Sequence, residues 1–208
     1  MWAIRVTLLA LLGAFVGADS FLLRHRREYS RFAENTALNI ALVVAHLVVT
    51  CALVTLPPAK GWNARPGWLQ DGGVYIGFAA TGATLVCAGI VVALLALRQR
   101  RAIGLQHAQA GLVTSNVYRY FRHPIYTGVL WVSLGLALLT RNPDGLMVFP
   151  LIFVAYLTLM LLEERHDMGV SFQGQYQAYR QTTRMLGPAW LWIAILGAIV
   201  LSAVSAWI

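Results

Sequence analysis

Six apolar runs divide this chain, and no soluble fold accommodates them. They fall at roughly 2–23, 36–56, 74–97, 125–140, 146–162 and 189–207, and several approach the roughly 20 residues that cross a bilayer as a helix. Each run meets a recognisable break. RHRR follows the first, Pro57-Pro58 closes the second, RQRR follows the third, and RNPDG at 141–145 separates the fourth from the fifth, because proline and glycine resist continued helix. With 59% hydrophobic and 12% charged residues, a soluble domain of this size has too little interior for so much apolar surface. The expected fold is all-α: a polytopic transmembrane bundle of about six spans, with a C-terminal helical hairpin and an interfacial lid helix. Residues 1–100 read as a three-span scaffold, 101–188 as the functional region and 189–208 as a C-terminal transmembrane helix.

A formal charge of +8 raises the possibility of a nucleic-acid partner, so the placement of the charge matters. Twelve of the 16 Lys and Arg sit in three loops: Arg24, Arg26, Arg27 and Arg31; then Arg98, Arg100, Arg101, Arg119 and Arg122; then Arg165, Arg180 and Arg184. The alternate loops carry only Lys60, Arg65 and Arg141, and Arg5 lies near the N-terminus. Alternation loop by loop is the positive-inside pattern of an integral membrane protein, not a nucleic-acid stripe. Both termini, the 57–73 loop and the 141–145 turn then face outside. Trp2, Trp62, Trp68, Trp190, Trp192 and Trp207 fall near span ends or in the outer loop, as an aromatic belt does. A cell inner membrane, with the functional face toward the cytoplasm, follows as the expected location. One competing expectation is a signal peptide over residues 1–18, since VGA before Asp19 resembles a cleavage site; it sends the RHRR cluster across the membrane.

Within the spans, Cys51 and Cys87 read as small apolar helix residues, and no metal-spaced Cys/His cluster appears. His46 is an ionisable group in mid-span, which marks a functional site by default; the plainer expectation is a neutral imidazole hydrogen-bonded to a neighbouring helix. Asp19, near the inner end of the first span, is expected to pair with a nearby arginine.

The stretch YRYFRHPIYTG at 118–128 places two arginines, a histidine and three tyrosines at the mouth of the fourth span. Spans four and five are short, and at 1.5 Å per residue each climbs about 25 Å. An antiparallel hairpin therefore returns Glu163-Glu164 to the depth of Arg122-His123-Pro124. Pro124 suits the first helical position, where a missing N–H costs nothing. The charges suit their positions poorly, because cations at a helix start and carboxylates at a helix end both oppose the macrodipole, by about 0.3–1 kcal/mol each. Either the clusters neutralise one another as a staple, or they wall a polar pocket for a zwitterionic or cationic ligand. Downstream, Phe172, Tyr176 and Tyr179 recur at helical spacing in FQGQYQAYR, which suits an amphipathic helix lying over that pocket, with Gly174 as an interruption.

LVTSNVYRYFRHPIYTG, a short hairpin, then EER followed by F, Y and Y resembles the isoprenylcysteine carboxyl methyltransferases and the related phospholipid N-methyltransferases. The resemblance spans about residues 104–188, in order and at matching spacing. It implies an enzyme that binds S-adenosylmethionine at the cytoplasmic membrane face and methylates a lipophilic acceptor arriving from the bilayer. By position, Leu112, Val113 and Tyr118 correspond to cofactor contacts, His123, Pro124, Ile125 and Tyr126 to the segment lining the cofactor, and Glu164, with Glu163 beside it, to the partner of its amino group. RHPxYxG occurs in integral-membrane sterol reductases too, so a nicotinamide-dependent reductase and a non-catalytic scaffold stand as alternatives.

Three positions depart from the family's pattern. Asn116-Val117 precedes Tyr118 where a glycine is usual, and asparagine tolerates the left-handed conformation better than most residues. The glycine expected after Phe172 is displaced to Gly174. Met160 stands one turn before Glu164, where the carboxyl methyltransferases carry an acceptor-binding arginine. Arg122 or a loop arginine is the remaining substitute. The acceptor therefore stays open among a carboxylate, a lipid amine and a thiol.

Overall fold

The computed structural model describes residues 2–25, 36–57, 72–104 and 112–204. Arg26, Arg27, Arg31, Lys60, Trp62, Arg65, Trp68 and Trp207 lie outside the described residues, as do the side chains of Trp2, Arg100 and Arg101. Seven helices occupy the described residues: α1 Trp2–Arg24, α2 Thr36–Thr55, α3 Gly72–Gly104, α4 Pro124–Leu139, α5 Pro143–Glu163, α6 Gln173–Thr182 and α7 Ala189–Val204. All but α6 coincide with the apolar runs. Three stretches, Ala3–Arg24, Gly72–Gln99 and Pro143–Ser171, are long and apolar enough to cross a membrane, and Ala41–Thr55, Pro124–Leu139 and Ala189–Val204 are shorter apolar helices beside them. Large apolar side chains such as Ile76, Leu94, Val154, Ile193 and Leu201 face outward, as a lipid-facing surface requires. The protein is an integral membrane helical bundle.

Two helices outrun the spans expected of them. The third continues through RQRR to Gly104, because arginine and glutamine are good helix formers and polarity ends a span without ending a helix. The fifth continues past Glu163 through a π-helical turn, Glu164–Met168, and on to Ser171. Such a turn carries one extra residue, and π-bulges are frequent at functional sites.

The position of α4 is fixed by glycine. A Cβ on Gly82 would lie 2.7 Å from the Gly135 carbonyl oxygen, and one on Gly128 would lie 2.6 Å from that of Gly89. Gly82 and Gly89, like Gly128 and Gly135, are seven residues apart, so one small-residue stripe on each helix brings two backbones together, as membrane helices commonly pack. On its other side α4 meets a core of Leu12, Val49, Leu53, Leu130, Tyr156 and Met160 drawn from α1, α2, α4 and α5.

A polar clasp closes the end that the charge pattern expects outside, the outer end of the bundle in that reading. Arg5, 1% exposed, pairs with Asp144 at the start of α5. It also donates to the Leu56 and Pro57 carbonyls at 2.9 and 3.1 Å. Asn142 donates to the Val54 and Leu56 carbonyls at 2.9 and 2.6 Å. The clasp ties α1 to the end of α2 and to the hairpin turn. Arg5, which reads in sequence as an isolated terminal charge, is thus wholly internal. Asp19 corrects its expectation as well: it faces Nε2 of His46 at 3.6 Å rather than an arginine. His46 likewise bonds within its own helix, Nδ1 to the Leu42 carbonyl at 3.0 Å, not to a neighbour.

Candidate active site at the hairpin mouth

The segment leading into α4 is held at several points. Leu112 and Val113 enter half-buried and without regular structure. Gln99 of α3 donates to the Ser115 hydroxyl at 2.8 Å. Asn116 then adopts a left-handed φ of 53° and opens a 3-10 turn, Asn116–Arg119, which is the conformation its side chain tolerates. His123 is the N-cap of α4 and Pro124 follows as its first residue. The backbone N–H groups of Arg122 and His123 donate to the Arg184 and Met185 carbonyls at 3.0 and 3.2 Å, lashing the entrance to the chain beyond α6. Gly187, with φ 85°, lies so close to Phe121 that a Cβ would sit 2.3 Å from its ring.

On this frame the basic and acidic clusters meet. Arg122 Nε donates to Glu164 Oε1 at 2.9 Å, and His123 Nε2 lies 3.1 Å from the same oxygen. His123 Nδ1 is 3.4 Å from Glu163 Oε2. The histidine thus stands between two carboxylates. Burial alone pushes its imidazole down from the ordinary 6.5, but hydrogen bonds and charge from Glu163 and Glu164 outweigh burial, and the net shift is upward. Charge-assisted bonds of this kind are the strong ones.

The lid joins through its C-terminal end. Arg122 Nη1 donates to the Arg180 and Thr183 carbonyls at 3.1 and 3.0 Å, a cation at a helix C-terminus where the dipole welcomes it. Tyr179 donates to the Tyr118 carbonyl. Tyr176 is buried beside Glu164; burial first, then the Glu164 charge, push its phenol upward. Arg180 reaches Glu164 Oε2 at 3.9 Å from a side chain 62% exposed.

Among the residues singled out by sequence, the fold gathers Arg122, His123, Glu163 and Glu164, with Pro124 buried beneath them. Tyr126 is adjacent, its ring 5.8 Å from His123 and 5.8 Å from Tyr156. Tyr118 and Ile125 pack elsewhere, against the cluster containing Val117, Phe121 and Trp131. Met160 is 0% exposed within the apolar core. Tyr176 and Arg180 were not marked as site residues, although they lie four apart on one face of the lid, which is the signal that finds them.

A buried carboxylate pair, a histidine between its members and a short helix tied to them through Arg122 define a polar site inside an apolar bundle. Residues 78–173, which hold the hairpin and both carboxylates, match the family model described as phospholipid methyltransferase. A curated relative, the protein-S-isoprenylcysteine O-methyltransferase A of Arabidopsis thaliana, is 25% identical over 155 residues, covering 72% of this chain and 77% of its own. No solved structure matches the chain significantly. Both matches support the family that the motifs resemble, and with the apolar helices they support a membrane methyltransferase.

Proposed function

We propose that this protein transfers a methyl group from S-adenosylmethionine to a lipophilic acceptor drawn from the bilayer, at the cytoplasmic face of the cell inner membrane. The observation that carries this reading is the buried pair Glu163-Glu164, set against His123 inside the region matched by the family model. The donor set fits the cofactor. Its ammonium suits a carboxylate through charge-assisted bonds, and its sulfonium suits aromatic faces, of which Tyr126 and Tyr176 are the nearest to Glu164 and His123. Glu164 is the amino-group partner, and the exposed Arg180, 3.9 Å from Glu164 Oε2, is the contact an incoming ammonium displaces. His123 and Arg122 keep that carboxylate ionised and in place, and Glu163 holds the other nitrogen of the imidazole. Leu112, Val113, Pro124 and Tyr126 form the remaining wall in this reading, while Tyr118 and Ile125 support it from the neighbouring apolar cluster.

When bound, the cofactor supplies an electrophilic methyl group on sulfur. Such an in-line displacement asks the protein for alignment and a shielded site more than for an acid or base. The lid, bolted down by Arg122 and Tyr179, excludes water, and the apolar exterior admits an acceptor laterally. A purely structural staple also draws support from the Arg122–Glu164 bond. Calorimetric binding of S-adenosylmethionine and of its demethylated product to detergent-purified protein separates the two. The enzyme reading expects micromolar binding that Glu164→Gln abolishes. Well-folded wild-type protein that binds neither ligand leaves the staple.

A further inference from the structure

We propose that Asp19 and His46, on α1 and α2, form the site that receives the protonated nitrogen of the methyl acceptor, and so select an amine over a carboxylate or a thiol. This rests on the methyltransferase reading and names the wall that chooses its acceptor. Both residues lie outside the matched region, residues 78–173.

The tautomer of His46 makes the case. Its Nδ1 faces the Leu42 carbonyl at 3.0 Å; a carbonyl only accepts, so Nδ1 carries a proton. Nε2 is buried with no hydrogen-bond partner, and the atom it faces is a carboxylate oxygen of Asp19, 3.6 Å away. In the neutral imidazole two acceptors therefore confront each other, too far apart for a hydrogen bond, inside an apolar bundle where an unsatisfied polar group is costly. A donor placed between them relieves both, and a cation does so best because one of the two is a carboxylate. An alkylammonium supplies one N–H to Asp19 and another to Nε2. A carboxylate would add a third acceptor.

The dyad is connected to the hairpin mouth. Asp19 lies within electrostatic reach of Glu163, and α1 touches the π-helical turn. A line of rings runs from Phe15 past His46 to His123 at the hairpin mouth. Phe15 is 4.8 Å from His46, His46 6.2 Å from Tyr156, Tyr156 5.8 Å from Tyr126, and Tyr126 5.8 Å from His123. Along it Thr50 Oγ1 and the Tyr156 hydroxyl lie 3.1 Å apart, hydrogen-bonded to each other. The proton balance follows. One proton passes from the ammonium to His46 Nε2, freeing the nitrogen lone pair. That pair forms the new bond to the methyl carbon of a methylsulfonium donor. The carbon–sulfur bond breaks with its electrons on sulfur, leaving a thioether and a methylated ammonium.

The test uses full-length protein labelled with 15N-histidine in a non-ionic detergent, His46→Gln assigning the resonance. Dodecylamine, dodecanoate and dodecanethiol are titrated in turn. The amine is expected to move the His46 Nε2 resonance, and the other two to leave it. Asp19→Asn is expected to weaken the amine response at least tenfold, and Asp19→Glu to restore part of it. An amine that leaves the resonance unmoved, or moves it equally in Asp19→Asn, overturns the proposal; if the Asp19 variants do not fold, the three ligands on wild-type protein decide alone. Calorimetric donor binding on the same samples keeps the two readings apart. It is expected to be unchanged in Asp19→Asn, and its absence from wild-type protein breaks the cofactor reading while the amine titration still judges the dyad.

Discussion

The two ends of α5 carry opposite electrostatic designs. At the outer end Asp144 lies in the first turn, where the helix dipole favours an acid, and its partner Arg5 also holds two carbonyls. At the inner end two adjacent carboxylates repel each other where α5 passes into the π-turn, and the cations answering them stand at the start of α4, where the dipole opposes them. The outer cluster agrees with its helix and reads as a fastening. The inner one is locally frustrated, and consistency across levels is what purely structural regions show. Charges retained against the dipole, around a π-turn, are what the proposed active site accounts for.

If the outer clasp is a fastening, breaking it should give the largest loss of stability. Asp144→Ala leaves the Arg5 charge buried and uncompensated, and the expected cost is about 3–5 kcal/mol, read as a lowered unfolding temperature in detergent. The double replacement Arg5→Met with Asp144→Leu should recover most of it. A loss under about 1 kcal/mol for the single change would put the clasp among the weak surface pairs and erase the contrast.

At the inner end, Arg122→Met should cost less, roughly 1–3 kcal/mol, but in a different place. It strips the Arg180 and Thr183 carbonyls of their donor. Amides of 173–182 should then exchange at least tenfold faster, while the glycine-packed α3–α4 core keeps its protection. Uniform loss across the chain would mean that the two ends are not separable.

A smaller effect should appear with pH. The folded-state pKa of His123 lies above 6.5, because Glu163 and Glu164 outweigh burial. Its stabilising charge is therefore fully present below about 6.5 and is lost as pH rises through the shifted value. Unfolding temperature should fall across that alkaline window in wild-type protein, and the corresponding slope should be absent from His123→Gln. An unchanged slope in the variant would assign the effect to other groups.

The helices and the meeting of RHP with EE were legible because they rest on local signals: apolar runs, proline at a helix start, and a turn short enough to force an antiparallel return. The clasp was not. Arg5 and Asp144 are 139 residues apart, and nothing in either neighbourhood announces the other. Asp19 went to the wrong partner for the same reason, since counting arginines nearby in sequence ignores which helix packs alongside. The π-turn was invisible because ERHDM reads as a polar loop, yet it continues α5 as helix. Asn116 shows the opposite case, a residue whose tolerance for a left-handed backbone points directly to its observed φ of 53°.

The last contrast lies within the inner end itself, where the lid begins. Gln173 adopts φ 40°, a left-handed conformation that costs a residue with a Cβ roughly 1–2 kcal/mol. Gly174, one position later, is inside the helix, and a Cβ there would meet nothing within 4 Å. The flexible residue is thus beside the position that needs it, and glycine in a helix interior costs roughly 0.5–1 kcal/mol relative to alanine. Gln173→Gly with Gly174→Ala moves it back by one. The pair should raise stability by about 1 kcal/mol, because the first change removes strain and the second reduces backbone entropy in the unfolded chain. Gly174→Ala alone should give the smaller share. A destabilised double variant would show that the lid starts without a left-handed residue. A stabilised one with unaltered donor binding would show that strain at this hinge is separable from the site it covers.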